Sequence, residues 1–220
     1  MARRMGRLAP AAPSVHPAAL LLPFALAVAA NGCRSSDPIG KDPRSLYEGL
    51  LRDLSPESGG GLRVEDLERQ SERCEKIHAW HAEGRLETAE DFYFASAVLV
   101  ESDVAPDLEL AFTLASRAAE LGDERAWTLV AYSTDKQLVD RGAEHQLYGT
   151  VIVYEPVLER FALYPVDPTT TDVERGAMGV PPLAQLLAEV EDLNRTTFAE
   201  RLRDAPTVEG EPPPGGGERP

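Results

Sequence analysis

Cysteine is nearly absent from this chain: of 220 residues only Cys33 and Cys74 carry a thiol. With Cys33 blocked, Cys74 has no partner, which excludes a disulfide framework as the source of stability. Basic residues are scarce as well, 22 Lys and Arg against 37 Asp and Glu, for a formal net charge of −15. Three of the arginines lie in residues 1–32, which hold no acid, so the remainder is more acidic still. A nucleic-acid partner is excluded, because phosphate contacts need a basic face. Electrostatic docking on anionic lipid is excluded on the same ground. The acid excess reads as a solvated surface. No apolar run is long enough to span a bilayer. The best, residues 18–30, is interrupted by Pro23, and nothing after residue 33 comes close. Several catalytic signatures are missing: no Gly-x-Ser-x-Gly elbow, no P-loop, no dinucleotide fingerprint and no His-Glu-x-x-His. No cofactor is implied. Cys74, His78 and His81 have permissive spacing on a helix, but no third ligand is evident and zinc sites need three or four, so no metal is expected.

What is present begins with Arg3, Arg4 and Arg7, followed by the short apolar run and small residues, the architecture of a secretory signal. It ends Ala30-Asn31-Gly32-Cys33, which resembles the bacterial lipobox, where the cysteine is lipidated and becomes the mature N-terminus. Residues 1–32 are then a lipoprotein signal peptide and Cys33 carries the acyl chains that hold the protein on a membrane. The competing reading is cleavage after Ala27-Val28-Ala29, which yields a soluble secreted or periplasmic protein. Arg34 after the cysteine favours the outer over the inner membrane, by resemblance to lipoprotein sorting rules.

Residues 33–41 read as a tether. Residues 55–61, Ser-Pro-Glu-Ser-Gly-Gly-Gly, are a loop, and residues 205–220, rich in Pro and Gly, a disordered tail. Residues 42–204 are the size of one domain. Its pattern is mainly α, with antiparallel helical hairpins and a small β-hairpin in the C-terminal half. Asp42-Pro43 starts a first helix. A second over 64–81 carries a stripe of Leu67, Cys74, Ile77 and His81, and Gly84 ends it. Thr88 and Asp91 form a capping box for a third. Pro106 opens a fourth, with Leu108, Ala111, Phe112, Ala115, Ala118 and Ala119 on one face. Gly122 takes a left-handed position, and Asp123 caps a fifth helix bearing Ala126, Trp127, Val130 and Ala131. The hairpin over 106–141 looks like one tetratricopeptide-type unit. No second copy follows at a suitable period, which argues against a solenoid. Residues 151–154 and 161–164 are β-rich and read as a hairpin. Thr171 repeats the capping-box form, and Pro181 opens a last amphipathic helix through Leu183, Leu186, Leu187, Val190, Leu193 and Phe198.

Between the fifth helix and the hairpin lies a polar, glycine-punctuated stretch: Asp135, Lys136, Leu138, Gly142, Gln146, then Tyr148-Gly149-Thr150, with Leu163 and Pro165 beyond. A second block holds Thr171-Asp172, Glu174-Arg175, Gly179-Val180-Pro181 and Leu183. In this order the residues resemble a bacterial domain family of unknown function, whose motif reads Asp-Arg, Leu, Gly, Gln, any residue, Tyr-Gly-Thr and usually Gln. The resemblance covers residues 70–195. It carries placement and no activity. Three positions depart from the family pattern. Lys136 stands for arginine, losing planar bidentate recognition. Val151 stands for glutamine. Glu101-Ser102-Asp103 stands where relatives have a Gln-His pair.

The ligand-binding candidates are Asp135, Lys136, His145, Gln146, Tyr148, Thr150, Asp172 and Arg175. Gln146 offers donors and an acceptor, and Tyr148 a phenol and a ring face. The alternative is that these groups satisfy backbone at a helix-to-strand junction. An ion pair of Asp135 with Arg175 or Arg141 is the default expectation. His145 is the one candidate general base. Three functions follow: a binding or scaffolding module at a membrane surface, a small hydrolase using His145, Asp135 and Tyr148, or a protein-interaction surface on 106–141.

Overall fold

The structure, a computed structural model, describes residues 40–55 and 64–204, with side chains as far as residue 197. The signal, Cys33, most of the tether, most of the 55–61 loop, the Phe198 side chain and the Pro/Gly tail lie outside the described residues.

Asp42 begins helix α1 (Pro43–Asp53) with a complete capping box, its carboxylate accepting from Ser45 N–H while Ser45 Oγ accepts from Asp42 N–H. Helix α2 (Val64–Ala82) follows, then α3 (Ala89–Leu99), which opens on the Thr88/Asp91 box. Helices α4 (Ala105–Glu120) and α5 (Ala126–Asp140) complete the helical body. Strands β1 (Ile152–Glu155) and β2 (Arg160–Leu163) pair antiparallel, Ile152 opposite Leu163 and Glu155 opposite Arg160. The short α6 (Asp172–Ala177) starts on the Thr171/Glu174 box, and α7 (Leu183–Asp204) closes the described chain. Among the described residues the architecture is therefore mainly α with one two-stranded sheet in the C-terminal half. No helix there is long and apolar enough to cross a membrane.

The main core joins α1, α2, α3 and α4 through Leu46, Leu50, Ile77, Trp80, Val98 and Leu114. Small residues set the spacing. Ser96 Oγ on α3 donates to the Ala111 carbonyl on α4 at 2.8 Å, and Phe92 and Tyr93 pack on Ala118, Ala119 and Ala126. α3 and α4 are thus antiparallel neighbours, and α4 meets α5 in the same way, Gln137 donating to Leu108 O at 3.2 Å. Beneath α1, Asp53 bridges Arg69 and the buried Arg73 of α2. Burial pushes the Asp53 carboxyl up, but hydrogen bonds and charge from the two arginines outweigh it and hold it below the usual range.

The expected stripes on α4 and α5 are buried apart from one aromatic each, and the stripe on α2 holds at Cys74 and Ile77 but misses at its ends. On α2 Leu67 and His81 are exposed, and the buried face runs through Asp66, Arg73, Cys74, Ile77 and Trp80. Phe112 and Trp127 also stand out to solvent. Gly122 does take φ +96°, but Asp123 does not cap α5: it accepts from Arg125, and the helix has no side-chain cap.

A second cluster places the C-terminal half against α5: Ala131, Val180 and Leu186, with Tyr148, Leu163 and Met178 packed around them. Asn194 of α7 holds the edge of β2, accepting from Phe161 N–H at 2.7 Å and donating to Phe161 O at 2.8 Å. That edge is covered by a side chain that copies a strand partner.

Candidate functional site

Adjacent on α5, Asp135 and Lys136 point apart, as a helix requires. Asp135 has no exposure and serves the loop that follows the helix. Its Oδ1 accepts from Leu147 N–H at 2.7 Å and Tyr148 N–H at 3.0 Å. Its Oδ2 accepts from Tyr148 N–H at 3.1 Å, Thr150 N–H at 3.0 Å and Thr150 Oγ1 at 2.7 Å. Successive amides that converge in this way form an anion nest, and here the anion is the chain's own carboxylate. The expected ion pair with Arg175 or Arg141 is absent among the described residues. Backbone and hydroxyl donors have taken every lone-pair direction, and Arg141 lies exposed beside Glu109 and Gln137.

Arg175 grips the same loop from its other side. Its Nε donates to Tyr148 O at 3.2 Å and its Nη1 to Asp172 Oδ1 at 2.9 Å, while Asp172 Oδ1 also accepts from Leu183 N–H. Tyr148 N–H therefore faces a carboxylate and its C=O a guanidinium, which fixes the peptide planes of 147–150. Gly149 makes the turn at φ +89°, and a Cβ there would lie 3.1 Å from Leu186.

Gln146 is fully buried. Its Nε2 donates to Val151 O at 3.0 Å and Tyr164 O at 2.8 Å, and its Oε1 accepts from Val151 N–H at 2.8 Å. Its backbone bridges to the segment beyond β2, donating to Pro165 O and accepting from Asp167 N–H. The side chain thus stands in for a strand where the sheet has run out. Val151 supplies one donor and one acceptor to it.

Lys136 turns to the opposite side. Its ammonium donates to Val100 O at 2.9 Å, Ser102 O at 3.0 Å and Asp103 Oδ1 at 3.4 Å. Three donors meet three acceptors, a task that suits a compact ammonium.

Two candidate groups keep free chemistry. His145 is exposed, and its charge acts on Asp167, whose carboxyl is held below the usual range chiefly by hydrogen bonds from Thr169. The Tyr148 hydroxyl makes no hydrogen bond among the described residues. Burial, with the Asp135 and Glu174 charges, pushes its pKa above the ordinary phenol value. Two surface hollows, of about 470 and 340 Å³, lie elsewhere: one beside Glu90 and residues 121–125, the other between the β2 end and α7.

A second polar group draws in Cys74 and His78, which their helical spacing pairs, around Asp107 and Ser102, which no sequence pattern marks as their partners. His78 Nε2 lies 2.6 Å from Asp107 Oδ1, and Ser102 Oγ donates to Asp107 Oδ2 at 2.6 Å. Cys74 adjoins them, its thiol pushed up to about 12 by burial and then by the Asp107 charge. Burial and the Asp107 charge both disfavour the thiolate, the form in which a cysteine is a nucleophile. Among the described residues no group of three or more His, Cys, Asp or Glu is placed to hold a metal. No family model, curated protein or solved structure matches this chain.

Proposed function

We propose that this chain is a bacterial cell-envelope lipoprotein, anchored through Cys33 and favouring the outer membrane, whose helical body binds or scaffolds a partner at the membrane surface. The resemblance of residues 70–195 to the bacterial domain family belongs to the same proposal. What supports the anchor is the N-terminal sequence. What supports binding over hydrolysis is one observation: Asp135, Gln146 and Thr150 spend their polar groups inside the fold. A carboxylate that already accepts from four donors is unavailable as a base or as an orienter for exposed His145. The outward face of the clasped loop, with His145 and the Tyr148 hydroxyl, is the surface left for a ligand. A second reading, an interaction surface on 106–141, is favoured by Phe112 and Trp127, which stand about two-fifths exposed on α4 and α5.

Two measurements test the proposal. Metabolic labelling with palmitate should mark the wild-type chain and not Cys33→Ala, with the variant leaving the membrane fraction; equal labelling of both, or none, removes the anchor. A thermal-shift screen with cell-wall fragments, sugars and nucleotides should give a ligand whose shift is lost in Tyr148→Phe, since a ligand that prefers the folded state raises the midpoint. A shift retained in Tyr148→Phe but lost on substitution of Phe112 or Trp127 transfers the function to the helical hairpin.

A further inference from the structure

Glu101 occupies the corner between α3 and α4, and its Oε1 is buried with no hydrogen-bond partner among the described residues. Lys136, whose charge acts on Glu101, spends its hydrogen bonds elsewhere: Nζ donates to the carbonyls of Val100 and Ser102, the two neighbours of Glu101 in the chain, and to Asp103. Three elements face the carboxyl. α5 brings the Lys136 ammonium and the Tyr132 phenol, α1 brings the Tyr47 phenol, and the corner itself brings a second acid, Asp103. Glu101 as a whole is partly buried, but its Oε1 has lost water and gained no donor, so ionisation carries a desolvation cost that the neutral acid avoids.

We infer that Glu101 is a protonation site through which the protein reads ambient pH: the α3–α4 corner is held most firmly on α5 when Glu101 is neutral, and its hold weakens as Glu101 ionises. Burial pushes the carboxyl up to about 7, the Lys136 charge opposes this, and the Asp103 charge adds to it. Tyr47 and Tyr132 are raised, chiefly by burial, and stay neutral over the same range. The folded chain binds this proton more tightly than the unfolded chain, in which the carboxyl returns to about 4.5. The contribution to stability is therefore complete below about pH 4.5 and is lost as the pH rises through about 7. Because Lys136 holds this corner and Asp135 beside it holds the 147–150 loop, one helical turn of α5 links the protonation site to the candidate surface.

The test compares melting temperatures of the full wild-type chain and Glu101→Gln, an isostere of the neutral acid, across the neutral range. The profiles should converge near about pH 4.5 and separate by about 5 °C or more near pH 8.5, with the variant the more stable. Parallel profiles overturn the inference, since the histidines and other acids titrate alike in both chains. A carbon-13 carboxyl titration of the wild-type protein decides independently, even where the variant fails to fold. A Glu101 midpoint near neutrality supports the site, and a midpoint in the ordinary carboxylate range overturns it.

Discussion

Gln146 shows how a polar side chain becomes part of the fold. Two donors and one acceptor are all used on backbone groups of Val151 and Tyr164, so the residue is satisfied without any ligand. Gln146→Ala should cost about 3 kcal/mol, because the Val151 N–H and the Tyr164 carbonyl lose their side-chain partner, while Val151 O keeps Tyr164 N–H; urea unfolding reads the loss. His145→Ala and Tyr148→Phe should leave the same transition within about 0.5 kcal/mol, which makes them the clean probes of ligand binding. The polar candidates were legible in the sequence as an ordered set of residue types. Their partners were not. Charge alone suggests that an aspartate seeks an arginine, whereas three backbone amides 12 to 15 positions further on, which no side-chain pattern announces, took Asp135 instead.

At the scale of elements, the ends of helices were legible because a cap is decided within four residues: Asp42, Thr88 and Thr171 each accept from the third amide onward. Which face of a helix is buried depends on neighbours distant in the chain. The 3.6-residue period on α2 was readable, but its buried face includes Arg73, paired with Asp53 of α1, beside Cys74, Ile77 and Trp80, and Leu67 stays outside. The corner between α6 and α7 carries a prediction of its own. Gly179 has φ +67°, and a Cβ there would lie 2.7 Å from Thr128 Oγ1 on α5. Gly179→Ala should destabilise by about 2 kcal/mol, combining backbone strain with the clash. Adding Thr128→Ala should relieve the clash and leave the strain, so a double-mutant cycle in urea should show coupling of at least 0.5 kcal/mol or so; strict additivity contradicts the packing described.

Across the whole molecule two packed regions meet on α5. The larger core joins α1 to α4, and the smaller joins the 147–150 loop, β2 and α7 to Ala131. Asp135 and Lys136 sit at that seam, one holding each side, which is why a single helix can support both the body and the candidate surface. The overall class, helices with one late hairpin, was legible because glycine, proline and the change from a 3.6-residue to a two-residue period mark it along the chain. The seam was not, since it consists of contacts between a carboxylate and main-chain amides. The most direct test of the account is urea unfolding of Asp135→Ala beside His145→Ala, followed by near-ultraviolet circular dichroism and fluorescence. Asp135→Ala leaves four donors without their acceptor and should lose about 3 kcal/mol or more, with the C-terminal half unfolding ahead of the helical body, while His145→Ala matches wild type. An Asp135→Ala chain as stable and as cooperative as wild type would contradict the claim that this motif is a structural clasp, and would return Asp135 to the list of groups kept for a ligand.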